Sequence, residues 1–344
     1  MTPNLFDYAT HELSQDAFLC WLMAWADRRC ASADPALQAA AELFVRRLLG
    51  AGGREAPAEG FSVEVHRQRR HMDVFVLVGQ GLAILIEDKT HTTDGLAKLE
   101  RTRGVAGRES GSRKLVAVYL KTGDQCDFNV AVQAGYVPFT RPDLIEVLRQ
   151  GMALGVRNSI YLEFLGHMIG RESDVQAFWT QPPEKCRRPG EAWKGLYAAL
   201  QPEFPGSRWH YVANPQGGFM AFHWVWRKIL GGRIYVQLEE CMVCVKIEVP
   251  DKSRQSEQRA DWSERVIRAG QGRGLSVVRP TTFGKGTWMT VAVVEGEYRI
   301  YGAERLDLAA TVAGLRQIGT LVEELAKGEA PAAVGGADDG VVEG

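Results

Sequence analysis

The chain has 344 residues, which suits about two domains at roughly 150 residues each. It carries 41 Lys plus Arg against 42 Asp plus Glu, a net charge of −1, and 45% of its residues are hydrophobic. This composition excludes a wholly disordered chain, a collagen and a coiled coil, and the even charge leaves nucleic-acid binding to be argued from local clusters.

The longest apolar run near the start, Ala17 to Ala26, has ten residues. A bilayer-spanning helix needs about 20. The first residues lack the basic segment and small-residue cleavage site of a secretion signal, so a cytoplasmic protein with no membrane partner is expected. Six cysteines are too sparse for a disulfide scaffold.

In chain order, Phe18, Leu19, Leu22 and Trp25 recur at helical spacing, which predicts a helix from Ser14, with Ser14 as its N-cap and Asp16 in its first turn. A second helix is predicted over Pro35–Leu49, then a strand over Phe61–His66. MDVFVLV and LAILIEDK flank Gly79-Gln80-Gly81, the pattern of a hairpin whose strands are apolar on both faces and therefore central in a sheet. His91–Arg103 reads as a helix, Gly104–Ser112 as a mobile loop, Lys114–Leu120 as a strand, and Pro142–Gln150 and Ile160–Phe178 as helices. Strands alternating with helices around a buried sheet imply an α/β (α+β) layer fold.

The second half contains five strand-like segments, FMAFHWVWRKI, IYVQLEE, CMVCVKIEV, WMTVAVV and YRIY. A polar helix is expected over Gln255–Gly270 and an amphipathic one over Leu306–Lys327, closed by Gly328. The expected organisation is a first domain over 1–170, a helical linker region over 171–206, an α+β C-terminal domain over 207–327 and a disordered acidic tail over 328–344. The C-terminal domain is a candidate surface for a homodimer or a protein partner.

The hairpin carries the chemistry. In a symmetric register centred on Gln80, Asp73 lies opposite Glu87 and His71 opposite Lys89. Directly paired side chains have Cβ atoms about 4.5–5.5 Å apart. Two facing carboxylates repel, and a hard divalent cation relieves that while taking phosphate oxygens as further ligands. Such a metal generates hydroxide near neutral pH, and Lys89 beside it steadies transition-state charge. The same three residues also suit a plain structural ion pair.

MDVFVLV…LIEDK resembles the PD-(D/E)XK nuclease superfamily, with Asp73 as the first acid and Glu87-Asp88-Lys89 as the E-x-K. ELSQDAFLCWLMAWAD resembles the opening helix motif of one bacterial branch, and KLERT its polar helix motif, with Lys98 and Thr102 in place of Gln and Tyr. Met72 stands where the signature has Pro, and the resemblance covers about residues 4–140. It implies a restriction-endonuclease-like mixed sheet flanked by helices. It further implies Mg²⁺ (or Mn²⁺) on Asp73, Glu87 and the Asp88 carbonyl, with Lys89 assisting the attacking water. Glu12 matches a helix acid that contributes to the site in relatives. The substrate implied is nucleic acid, DNA by analogy.

Other readings stay open at this point. Glu12 and Asp16 are also what a helix dipole favours. Glu64 suits either the same cleft or an exposed strand position. Arg67, Arg69, Arg70, Lys98 and Arg101 are candidate phosphate contacts, or solvated charge. Cys241 and Cys244 read as buried structural thiols, and Trp224 and Trp226 as core residues or base-stacking platforms. Two other functions compete: a catalytically silent module of the same fold that binds nucleic acid or protein, and a metal-dependent phosphohydrolase of small nucleotides.

Overall fold

The computed structural model describes residues 3–9, 11–58, 60–214 and 217–328; the expected acidic tail beyond Gly328 lies outside them. The fold is mixed α+β, and the chain divides into two units, Met1–Asp174 and Val175–Gly344. Among the described residues no helix is long and apolar enough to cross a membrane.

The first unit runs α1 (Glu12–Trp25), α2 (Pro35–Ala51), β1 (Val63–Arg69), β2 (Met72–Val78), β3 (Leu82–Lys89), α3 (Leu96–Glu109), β4 (Lys114–Lys121), α4 (Asn129–Gln133), β5 (Val137–Thr140), α5 (Arg141–Ala153) and α6 (Ser159–Gln176). Its sheet has the order β1-β2-β3-β4-β5. β1, β2 and β3 are antiparallel neighbours, whereas β3, β4 and β5 are parallel, with helices crossing between them. β3 is therefore the central strand. Alternate residues of β2 and β3 feed two separate cores. Val74, Val76, Ile84 and Ile86 pack with α1, α2 and α5, while Phe75, Ala83 and Leu85 pack with Leu99 and Ala106 of α3. Burial on both faces explains why the two strands are apolar at nearly every position.

Several boundaries differ from the sequence reading, each because a tertiary contact outweighs local propensity. α1 begins at Glu12 and its N-cap is His11, not Ser14. The Glu12 carboxylate accepts from Thr90 N at 2.8 Å, which ties the first turn to the end of β3. α3 starts at Leu96 rather than His91. Residues 90–94 are held out of the helix by Glu12, by Lys121 Nζ on Thr92 O at 2.6 Å, and by Lys98 on Asp94. The helix continues to Glu109, so most of the expected mobile loop is helical, anchored by buried Ala106. β1 extends to Arg69, which puts the basic run on an edge strand where charge discourages further strand pairing.

The second unit runs α7 (Pro189–Leu200), β6 (Arg208–Val212), β7 (Phe219–Ile229), β8 (Gly232–Glu239), β9 (Met242–Glu248), α8 (Gln255–Gln271), β10 (Val277–Val278), β11 (Trp288–Val294) and α9 (Leu308–Lys327). Its antiparallel sheet has the order β10-β11-β9-β8-β7-β6. The region over 171–206, expected as a helical linker, is largely helical; α6 runs across the boundary, and from Val175 onward the chain belongs to this unit. YRIY forms no strand beyond an isolated bridge of Tyr301 to Leu306, and its buried Arg299 side chain pairs with the partly exposed Glu184 and Glu297. Asp307 caps α9 by accepting from Ala310 N, and Gly328 closes it as expected. Of the two thiols read as buried, Cys244 is, whereas Cys241 is exposed in the β8–β9 turn; both are free.

Candidate active site

The observed hairpin register places Val74 opposite Ile86 and Val78 opposite Leu82, the symmetric pairing about Gln80. Asp73 and Glu87 are the next residues outward. His71 does not lie opposite Lys89: it occupies the β1–β2 turn at φ +67°, while Lys89 pairs with Lys121 of β4. Alternation along β3 then sorts the motif. Glu87 and Lys89 share the face of Leu85, beside α3, and Asp88 points to the opposite face, beside α1.

On the α3 face the Lys89 ammonium is buried among oxygens. Its Nζ lies 3.1 Å from Asp73 Oδ2, 2.9 Å from Glu87 Oε1, 3.4 Å from Asp94 Oδ2 and 2.7 Å from the Asp88 carbonyl. Asp73 Oδ2 also accepts from Asp88 N at 3.0 Å, which fixes it across the strand end. Lys98 reaches in from α3, 3.0 Å from Glu87 Oε1 and 2.8 Å from Asp94, with its side chain partly in solvent. Glu87 Oε2 is buried and accepts no hydrogen bond. Burial, then a hydrogen bond shared with Asp94, then the Asp73 charge push Glu87 up to about 7, against the pull of Lys89. The crowd of carboxylates, and Glu87 first among them, outweighs burial at Lys89 and holds its ammonium firmly protonated.

On the α1 face, Asp88 is buried and Oδ1 accepts from Gln15 Nε2, whose own Oε1 accepts from Thr122 Oγ1 at 2.9 Å. Asp16 is also buried, and burial followed by the Asp73 charge raises its pKa. Gln68 joins the two faces: its Nε2 donates to Asp16 Oδ2 at 2.8 Å and to Asp73 Oδ1 at 3.2 Å. Gln68 sits at φ +52°, a conformation that favours glycine, and this backbone twist presents its amide to both acids.

The structure thus brings Asp73, Glu87, Asp88 and Lys89 together, and adds Lys98. Glu12 reaches the end of β3 but uses its Oε1 on Thr90 N, so Asp16 stands nearer the cluster. Arg67 donates to the Leu13 carbonyl, while Arg69 and Arg70 both pair with Glu109. Arg101 is exposed on α3. Glu64 is an exposed strand residue paired with His66. Asp94, Gln15 and Gln68 escaped the sequence reading. Asp94 precedes its helix and carries no periodic signal, and the two amides are recognisable only from their partners.

Among the described residues no three His, Cys, Asp or Glu side chains form a group that by itself would hold a metal ion. Two carboxylates and a backbone carbonyl are nevertheless a donor set that Mg²⁺ accepts when waters complete its shell. The unpartnered Glu87 Oε2 and the four oxygens converging on one ammonium show that this pocket is built for positive charge. No protein-family model, curated protein or solved structure matches the chain.

Glu87 gives a pH-dependent prediction. An acid whose folded pKa lies above its unfolded value of 4.5 binds its proton more tightly when folded. Its stabilising contribution is full below that value and is lost as pH rises through about 7. Glu87→Gln stays neutral throughout, so in metal-free buffer its stability relative to the native protein should grow between pH 5 and 8 by about 2 kcal/mol. Thermal melts across that range test this; a constant difference would mean that Glu87 titrates normally.

Proposed function

We propose that this protein is a metal-dependent nuclease of the PD-(D/E)XK type that hydrolyses phosphodiester bonds in nucleic acid, DNA by analogy. The observation that carries the reading is the convergence of Asp73, Glu87, the Asp88 carbonyl and Lys89 at the carboxyl end of the central strand. The mixed five-stranded sheet with helices packed on its strands suits the restriction-endonuclease-like core that the sequence resembles.

Asp73, Glu87 and the Asp88 carbonyl would hold the metal. Mg²⁺, or Mn²⁺ in its place, supplies charge stabilisation on the phosphoryl group and lowers the pKa of a water. Lys89 donates protons only, so its part is to orient the attacking water and to balance charge developing on phosphate oxygens. Gln68 and the Asp88 amide hold Asp73 in place. Lys98, partly exposed at the rim, offers a phosphate contact beside the cluster. The six free cysteines suit a reducing cytoplasm.

One observation favours a second reading. Lys89 already neutralises the carboxylates around it, as it would in a catalytically silent module of the same fold. Calorimetry separates the two: the nuclease binds Mg²⁺ with loss of affinity in Asp73→Ala, whereas a silent module shows no binding in either protein.

A further inference from the structure

Trp224 and Trp226 are two residues apart on β7 and would share one face of a regular strand. They do not. Trp224 pairs with Val236 and Arg227 with Ile234, so β7 carries one extra residue between them, at Val225 with φ +58°. A β-branched residue rarely adopts that conformation, and a bulge of this kind re-aims the next side chain. Trp224 is buried, its indole beside Gly319 of α9. Trp226 is turned to the other face, where it stacks on Tyr235 with ring centroids 4.0 Å apart and an interplanar angle of 9°. Trp288 stands nearly perpendicular to both rings at 5.9 and 6.0 Å, and is 50% exposed.

This aromatic corner has a charged border. Lys228 and Arg233 pair across β7 and β8, one step along the same face from Trp226 and Tyr235. Lys228 has no acidic partner among the described residues. Arg233 lies 3.4 Å from Glu248, the acid opposite Trp288, and its side chain is largely in solvent. Lys228 therefore stands next to Trp226 without an ion pair among the described residues, while Glu248 lies between Arg233 and Trp288 and holds Arg233 by one 3.4 Å contact. A cation beside an indole is the pairing of groups that receives a base and its phosphate: stacking on the ring, and charge contact to the backbone.

We propose that the Trp226–Tyr235–Trp288 corner binds single-stranded nucleic acid, stacking an unpaired base on its indoles while Lys228 and Arg233 contact the adjoining phosphates. The proposal rests on the nuclease reading and names the form of nucleic acid the chain engages. The test is fluorescence anisotropy of a labelled oligothymidylate and of a duplex of equal length, with the full chain in EDTA. The single strand should bind more tightly. Trp288→Ala should weaken that binding about tenfold and leave the duplex unaffected. Trp288→Phe should recover most of it. Lys228→Ala combined with Arg233→Ala should flatten the salt dependence. Trp226→Phe, which preserves packing on Tyr235, serves as a second probe if Trp288→Ala proves unstable in thermal melts.

Unchanged single-strand affinity in Trp288→Ala would overturn the proposal, as would an equal loss for duplex. So would a change in sedimentation from dimer to monomer with nucleic-acid affinity intact, which would make the corner a self-association surface. Cleavage assays run beside these keep the two ideas apart. Trp288-dependent binding by a protein that never cleaves would sink the nuclease and leave the corner standing. Metal-dependent cleavage by a protein indifferent to Trp288 would do the reverse.

Discussion

Lys89→Ala should bind Mg²⁺ more tightly than the native protein and cleave nucleic acid about 10²–10³-fold more slowly. The Lys89 ammonium lies within 3.4 Å of Asp73, Glu87 and Asp94, and 2.7 Å from the Asp88 carbonyl. Asp73, Glu87 and the Asp88 carbonyl are the oxygens proposed to hold the metal, so the two cations would compete for those donors. Removing Lys89 also leaves Asp73, Glu87 and Asp94 with only the partly exposed Lys98, on Glu87 and Asp94, as counter-charge. Breaking such a buried pair costs about 3–5 kcal/mol, so the metal-free variant should melt well below the native protein. Added Mg²⁺ should restore much of that by binding the folded state. Calorimetry and melts with and without metal read both effects. A variant that keeps cleavage, or that gains no thermal stability from Mg²⁺, would show that Lys89 neither competes with a metal nor assists the reaction.

Gly123→Ala should lose about 3 kcal/mol of stability and disturb the site from behind it. A Cβ at Gly123 would stand 2.0 Å from the Thr90 carbonyl oxygen and 3.0 Å from its carbon. Both obstacles are main-chain atoms that cannot swing aside. Thr90 is pinned by Glu12 through its N–H, and Thr122 N donates to Lys89 O at 3.0 Å. Buried Arg141 in turn holds the Thr122 carbonyl and Asp124 at 2.8 and 2.7 Å. Any relief of the clash therefore moves the residue beside Lys89. Gly107→Ala is the matching control, since its Cβ meets nothing within 4 Å and it lies inside α3. That change should stabilise by about 1 kcal/mol. Equal melting temperatures for the two variants would refute the close approach at Gly123.

The first unit was largely legible because its hairpin has a strong pattern. A short Gly-Gln-Gly turn fixes the register, and apolar residues on both faces of β2 and β3 announce a central position. Asp73, Glu87 and Lys89 could be placed together from that register alone. What local pattern could not show was contact between distant segments. Glu12 starts α1 earlier than Ser14 because Thr90, far along the chain, offers it an N–H. Gln68 and Asp94 join the cluster through partners that no spacing rule connects. Arg69 and Arg70 looked like free cations for phosphate, yet Glu109 on α3 takes both. In the second unit, the extra residue at Val225 turned a tryptophan pair that alternation puts on one face into one core residue and one platform residue.

The most direct measurement of the central claim is cleavage by the purified full chain. Supercoiled and linear duplex DNA, single-stranded DNA and RNA are each offered with Mg²⁺, Mn²⁺ or EDTA, beside a folded Asp73→Ala protein. The account predicts cutting of at least one of these substrates that needs a divalent metal and disappears in Asp73→Ala. Metal-independent cutting, cutting that survives Asp73→Ala, or no cutting of any substrate together with no calorimetric binding of Mg²⁺ would contradict it.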